Sequence, residues 1–290
     1  MERQLWKAIV LLLVEIEKPR VNVRNDFSDE LIVKVWMWSV VHDRPVSWAC
    51  CRANWPPYER RCKLPSNATM CRRLPSKEVQ FLLKQLERRV LSRSNDGVLT
   101  WFIDGKPLVI SGCSKDRQAG YGRATGGKAK GYKIHAIVGA DGSVPEWRVA
   151  PMNTDERVMA GRMLKVATLQ GYVVGDSNYD SNKLHHVCQH RGNLQFVTPR
   201  RYGPGRGFGH RKQTESRMRS VCMLEEPFNE FARDLMNQRV EIERYFGNLT
   251  NWGGGLACLP AWTRTHRRVH RWVQAKLILN SLKRSNRIRT

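Results

Sequence analysis

The chain has 290 residues, 41% of them apolar, enough for one large domain or a medium domain with a smaller helical one. Fifty Lys and Arg stand against 26 Asp and Glu, a formal charge of +24 with a pI near 10.3, far more than solubility requires, so a polyanion is the expected partner rather than an acidic or neutral one. Residues Ala8 to Val14 are too short an apolar run to span a bilayer and end at Glu15 with no cleavage pattern, while eight cysteines show no repeated C-x-x-C spacing, so an intracellular protein with reduced thiols and no membrane span is expected.

Residues 1 to about 95 carry helical periodicity: Leu5, Ile9, Leu12 and Leu13, then Leu31, Val35, Trp38 and Val41 after a capping Ser28. Pro45-Val-Ser47 and Pro65-Ser66 each open a short helix, the second running through Arg72 and Arg73. Two short helices with a basic second one fit a helix-turn-helix that would place Arg72 and Arg73 against DNA. The link Asn54 to Pro57 is longer than a tight turn, and an ordinary helical bundle fits equally well. Cys50, Cys51, Cys62 and Cys71 with His42 offer zinc-ligand chemistry, but adjacent Cys50 and Cys51 suit one tetrahedral site poorly.

From about residue 98 the period changes to alternation. Leu99 to Asp104, Leu108 to Ile110, Tyr132 to Val138 and Trp147 to Val149 read as strands, with a turn at Asp141-Gly142. A helix over 155–169, the run Tyr172-Val-Val174, a helix over 180–190 and a strand at Phe196-Val197 follow. The order β-β-β-α-β-α-β predicts an α/β class with a mixed sheet. Three parts are expected: 1–95 helical, 96–255 catalytic, and 256–290 a basic helix or tail.

Asp104 and Asp176 each follow a strand of apolar or small residues, in Ile103-Asp104-Gly105 and Gly175-Asp176-Ser177. Charge at such a position is costly without compensation, and strand ends are where α/β sheets place functional groups. Either alone could be a turn or capping residue; together, in so basic a chain, they fit ligands for Mg²⁺ or Mn²⁺ in phosphodiester chemistry. For a third acid the segment from Gln238 to Leu249 offers Glu241 and Glu243. On one continuous helix Glu243 borders the stripe Leu235, Ile242, Phe246 and Leu249, while Glu241 lies on the polar side, which favours Glu243. Arg239, one turn before Glu243, would orient that carboxylate or contact a phosphate. Lys133 and His135 alternate with inward Tyr132 and Ile134 and are expected on a solvent or DNA-facing side. Tyr179 and Asp180 would start the next helix, Asp180 as its cap.

Two basic stretches complete the pattern. Arg200, Arg201, Arg206, Arg211, Lys212, Arg217 and Arg219 surround a Gly-rich centre, and no acid follows Glu243 in a tail that carries Arg264, Arg267, Arg268, Arg271, Lys276, Lys283, Arg284, Arg287 and Arg289. Both are expected to hold phosphates.

These residues resemble the DDE transposases of bacterial insertion sequences, the large IS4/IS5 superfamily. The resemblance runs over about residues 98–250 and rests on Ile103-Asp104-Gly105, Gly131-Tyr-Lys-Ile-His135, Gly175-Asp176-Ser-Asn-Tyr179-Asp180 and Arg239-x-x-x-Glu243-Arg-x-Phe246. It implies an RNase H-like core whose three acids, Asp104, Asp176 and Glu243, gather two Mg²⁺ (or Mn²⁺) ions. It also implies double-stranded DNA substrates, the terminal inverted repeats of an element and a target, a homodimer at work, and a cytoplasmic, nucleoid-associated protein. The Tyr and Lys of the IS4-type signature are replaced here by Met236 and Thr250, which points to an IS5-like subgroup and leaves the manner of end processing open. A non-catalytic DNA-binding derivative and an RNase H-like nuclease without strand transfer are the competing readings.

Overall fold

The computed structural model describes residues 2–16, 26–60, 63–92, 97–202, 213–251 and 254–285. Cys62, the Gly-rich stretch with Arg206, Arg211 and Lys212, and the terminal Arg287 and Arg289 lie outside the described residues. The chain divides into two compact units, Met1–Arg93 with Gln274–Thr290, and Ser94–Val273.

The first unit is helical: α1 (Glu2–Glu15), α2 (Asp29–Val41), the short α3 (Val46–Ala49), α4 (Asn67–Arg73) and α5 (Lys77–Leu91). Ser28, Ser66 and Ser76 cap α2, α4 and α5 by accepting the third-turn N–H of Leu31, Thr69 and Val79. Helix α2 is buried from Leu31 to Val40, as a helix apolar on all sides must be. Trp38 stacks on Trp55 at 4.9 Å and meets Trp6 edge-on at 4.9 Å. The expected pair of DNA-reading helices has a different form here. Four-residue α3 and seven-residue α4 are separated by two 3₁₀ turns, Arg52–Asn54 and Pro57–Glu59. Arg73 turns back into its own unit, ion-paired with Asp29 and donating to the Phe27 carbonyl at 3.2 Å, whereas Arg72 is exposed.

The second unit holds a six-stranded mixed sheet, β1 (Thr100–Val109), β2 (Gly120–Ala124), β3 (Gly127–Gly139), β4 (Glu146–Pro151), β5 (Gly171–Val174) and β6 (Leu194–Val197). Its helices are α6 (Glu156–Val166), α7 (Asn182–Gln189), α8 (Glu215–Glu225), α9 (Glu230–Gln238), α10 (Val240–Thr250) and α11 (His266–Arg284), whose residues from Gln274 onward count with the first unit. Long β3 pairs antiparallel with β1, β2 and β4, and β5 and β6 continue the sheet parallel to β1. The result is an RNase H-like α/β arrangement with an N-terminal helical region.

Two differences from expectation have simple causes. Residues 99–104 and 108–110 form one strand, because β1 stays paired to β3 from Trp101 to Val109. Strand β2 has the sequence Gly-Tyr-Gly-Arg-Ala, which lacks an apolar face and is ordered by pairing with β3. One sheet face packs Trp101, Ile103, Ile137, Val173 and Phe196 against Ala160, Met163 and Leu164 of α6 and Leu184 and Cys188 of α7. The basic tail is also less available than expected. Residues 272–282 of α11 are buried, Lys276 among them, its ammonium 2.5 Å from Asp43, because Trp272, Val273, Leu277, Ile278, Leu279 and Leu282 make that helix apolar nearly all round.

Candidate active site

Strands β1 and β5 run parallel only from Thr100↔Tyr172 to Phe102↔Val174. Past that pair β1 continues along β3, while the other chain leaves through Gly175 into a 3₁₀ turn, Ser177–Tyr179. Asp104 and Asp176 are each the second residue beyond the last pair, so the parting strands carry one acid apiece at their carboxyl ends, the side on which such sheets bind ligands. Gly175 is the residue that permits the turn. A Cβ there would lie 3.2 Å from Ile103 Cγ2 and 3.3 Å from Tyr179 Cδ2, tighter than ordinary packing.

Burial raises the Asp104 carboxyl to about 6; the Gly105 N–H, donating at 2.7 Å, and Arg239 oppose this, and the negative charges of Asp176 and Glu156 add to it. The charged form of Asp104 is thus under-compensated. Asp176 caps the 3₁₀ turn: its Oδ1 accepts the Asn178 N–H at 2.8 Å and its Oδ2 accepts the Asn178 side-chain amide at 3.2 Å. The capping role and a ligand role coexist at this residue, since each oxygen has a second lone pair.

Behind the acids the structure corrects one expectation. Lys133 and His135 do not face solvent, because α6 packs on that face of β3. Lys133 is ion-paired with Glu156 of α6. His135 is 0% exposed, and burial with the Lys133 charge pushes its imidazole down to about 4, so it is neutral near pH 7. Beside them Tyr179 is 1% exposed, its ring in the core against α6 and β5. Its hydroxyl has no hydrogen-bond partner among the described residues, and Asp104, Glu156 and Asp176 are its charged neighbours. Sequence reasoning missed Glu156 altogether, since only the distant Lys133 and Asp104 give it meaning, and read Tyr179 as a helix start.

The third acid is less settled by geometry. The helix expected over 235–249 is broken at Arg239, where the bonds Arg239 N–H to Met236 and Ile242 N–H to Arg239 tighten the chain between α9 and α10. A wheel drawn across that break misplaces the polar side: Glu243 has 55% of its side chain exposed and Glu241 33%. The Arg239 spacing does produce the expected contact, Arg239 Nη2 lying 2.7 Å from Glu243 Oε1. Because Arg239 also faces Asp104 electrostatically, it stands between the third acid and the first. Glu241 pairs instead with Arg244 at 2.5 Å.

Asp180 is no helix cap. Ser181 caps α7, and Asp180 is buried in a two-pronged pair with Arg217, 2.7 Å to each oxygen, while its Oδ2 accepts the Arg201 N–H at 3.1 Å. Of the basic candidates, Arg200 is ion-paired with Glu225, Arg201 lies over the Tyr202 ring, and Arg267 and Arg268 are exposed. Arg157, Arg162, Lys165 and Lys183 line a groove of about 670 Å³ along α6 and α7, basic residues that no sequence pattern had grouped.

A divalent ion fits part of this arrangement. Asp104 and Asp176 supply hard oxygen donors, and a cation would offset the burial that strains Asp104. Among the described residues no three metal-ligating side chains are gathered into one group, since the Glu243 carboxylate is engaged by Arg239. A family model described as a transposase DDE domain matches residues 100–279. No curated protein matches the chain.

Proposed function

The chain belongs to the DDE transposase family, and from that premise we propose that it cuts the ends of a DNA element and joins them to target DNA. The observation that carries the reading is the buried, under-compensated Asp104 beside Asp176 at the parting of β1 and β5, in a chain of charge +24. Asp104 and Asp176 are read as ligands of two Mg²⁺ or Mn²⁺ ions, with Glu243 as the third. When bound, such ions activate a water and stabilise the leaving oxygen. The water oxygen bonds to phosphorus as the 3′-oxygen leaves and takes up a proton; the freed 3′-hydroxyl then attacks a target phosphate, releasing a second 3′-oxygen.

For Glu243 to serve, its pair with Arg239 must open, and DNA phosphate is the natural competitor for that guanidinium. Arg72, Arg201, Arg267 and Arg268 are exposed and free to meet DNA. The same reading places a homodimer of an IS5-like enzyme on paired terminal repeats in the bacterial cytoplasm, associated with the nucleoid.

The engaged Glu243 is also the one observation favouring a non-catalytic DNA-binding derivative. Incubating the protein with Mg²⁺ and a duplex carrying the element's own inverted repeats separates the readings. Transposition yields cleaved ends and joined target strands; cleavage without joining marks a nuclease, and neither product marks the derivative. Binding should also weaken roughly 10³-fold or more between about 50 and 200 mM salt if six or more phosphates are neutralised. A flat salt response would remove the basic residues from the DNA interface.

A further inference from the structure

Tyr179 is the residue the proposed chemistry leaves without a task. Its ring is fixed on every side: it lies in the core cluster with Trp101, Ile103, Ile137 and Phe196, and Gly175 is held against its edge. A phenylalanine would satisfy that packing. The hydroxyl, by contrast, ends in a buried space with no acceptor among the described residues, which proteins rarely tolerate without cause. Burial and the charges of Asp104, Glu156 and Asp176 hold the phenol well above its ordinary value, so it remains a donor at every working pH.

The candidate acceptors can be sorted. Both oxygens of Asp176 already accept bonds from Asn178. Glu156 is engaged by Lys133. Asp104 uses Oδ1 for the Gly105 N–H, and no hydrogen bond is made to its Oδ2 among the described residues. Of the charges around the phenol, Asp104 is the strongest. An orphan donor and a half-used carboxylate therefore share one corner.

We propose that Tyr179 is a positioning residue for the first acid: its hydroxyl donates to one oxygen of Asp104, leaving the other aimed at a divalent ion. The proposal rests on the reading of Asp104 as a metal ligand. Fixing a ligand through its second oxygen is how outer hydrogen bonds hold metal sites, and loss of such a partner typically weakens metal affinity about 10–100-fold. Asp104 is short of compensation in the resting arrangement because Tyr179 and a cation act on it together. Glu156 with Lys133 fills the space beyond the phenol and keeps the hydroxyl from an alternative cationic or solvent partner.

The test is Tyr179→Phe in the full chain, with Asp104→Asn beside it, read by Mn²⁺ binding to the protein alone, by the melting temperature without metal, and by cleavage as Mn²⁺ is raised. The expected result is a metal-free melting temperature equal to or above wild type, Mn²⁺ binding weakened 10–100-fold, unchanged DNA affinity without metal, and cleavage that recovers as Mn²⁺ is increased. Wild-type Mn²⁺ affinity in Tyr179→Phe, where Asp104→Asn loses the ion, overturns the role of Tyr179 and leaves the metal reading standing. A fall in metal-free melting temperature as large as that of Tyr179→Leu would make the hydroxyl structural and overturn it too. If Asp104→Asn binds Mn²⁺ as wild type does, Asp104 is no ligand and both readings fail together.

Discussion

Two acidic corners of the second unit, reached within five residues of chain, are built on opposite terms. At Asp180 everything is paired: Arg217 clamps both oxygens, the Arg201 N–H adds a third bond, and Ser220 and Thr198 close the neighbouring main chain with bonds of 3.0 and 3.2 Å. Burial would raise that carboxyl, yet Arg217 and the Arg201 N–H hold it below its ordinary value. At Asp104 the balance runs the other way, with a carboxyl raised to about 6 and an orphan phenol beside it. Satisfied polar groups consolidate a fold, while unsatisfied ones persist where a ligand completes them. Burial alone would not separate the two corners; the count of donors does.

The comparison can be broken in four ways. The largest effect is expected for Asp104→Asn on cleavage, a loss of at least ~10²–10³-fold, the scale of removing one preorganised electrostatic group, with DNA binding retained in a gel-shift assay. Full cleavage would move the chemistry elsewhere. Next, Asp180→Asn should lower unfolding free energy by roughly 3–5 kcal/mol, since Arg217 is left buried and uncompensated, while cleavage per folded molecule stays near wild type. A stable but inactive Asp180→Asn would invert the contrast.

The third effect is on stability against pH without divalent metal. The folded pKa of Asp104 lies above its unfolded value of 3.8, so the folded state holds the proton longer and the stability tied to it, full below pH 3.8, is lost as pH rises through about 6. Asp104→Asn should therefore be more stable than wild type above pH 7, by on the order of 2 kcal/mol, with little difference at pH 4. Equal denaturation midpoints at both pH values would show that the carboxyl is not strained. Smallest of all, Glu241→Gln removes an exposed pair with Arg244 and should change stability by less than ~1 kcal/mol and leave cleavage intact, whereas Glu243→Gln abolishes it. The reverse pattern would make Glu241 the third acid.

What could be read from the residues was whatever is local. The alternation of β3 and the acids that follow Ile103 and Gly175 depend on neighbours in sequence, and the structure places them as read. The exposure of Lys133 and His135 does not, because a strand's two faces look alike until α6, some 20 residues later, covers one of them. Arg73 looked like a DNA contact for the same reason: its partner Asp29 is 44 residues away. Strand β2 had no apolar pattern to reveal it. The third acid was approached through an unbroken helix, and the turn at Arg239 carries neither Pro nor Gly to signal itself.

The early parting of β1 and β5 has a consequence for how this corner can change. The separation of positions 104 and 176 follows from main-chain hydrogen bonds that end at Phe102↔Val174, and no side chain at either position is needed to make them. The corner is therefore a socket, and its two contacts are exchangeable fittings. Replacing either aspartate with histidine would alter which ions are accepted, favouring those that take nitrogen, while the socket keeps its shape. Loss of activity and loss of architecture are thus uncoupled here, which is how a cutting enzyme could persist as a DNA-binding scaffold after its acids were gone.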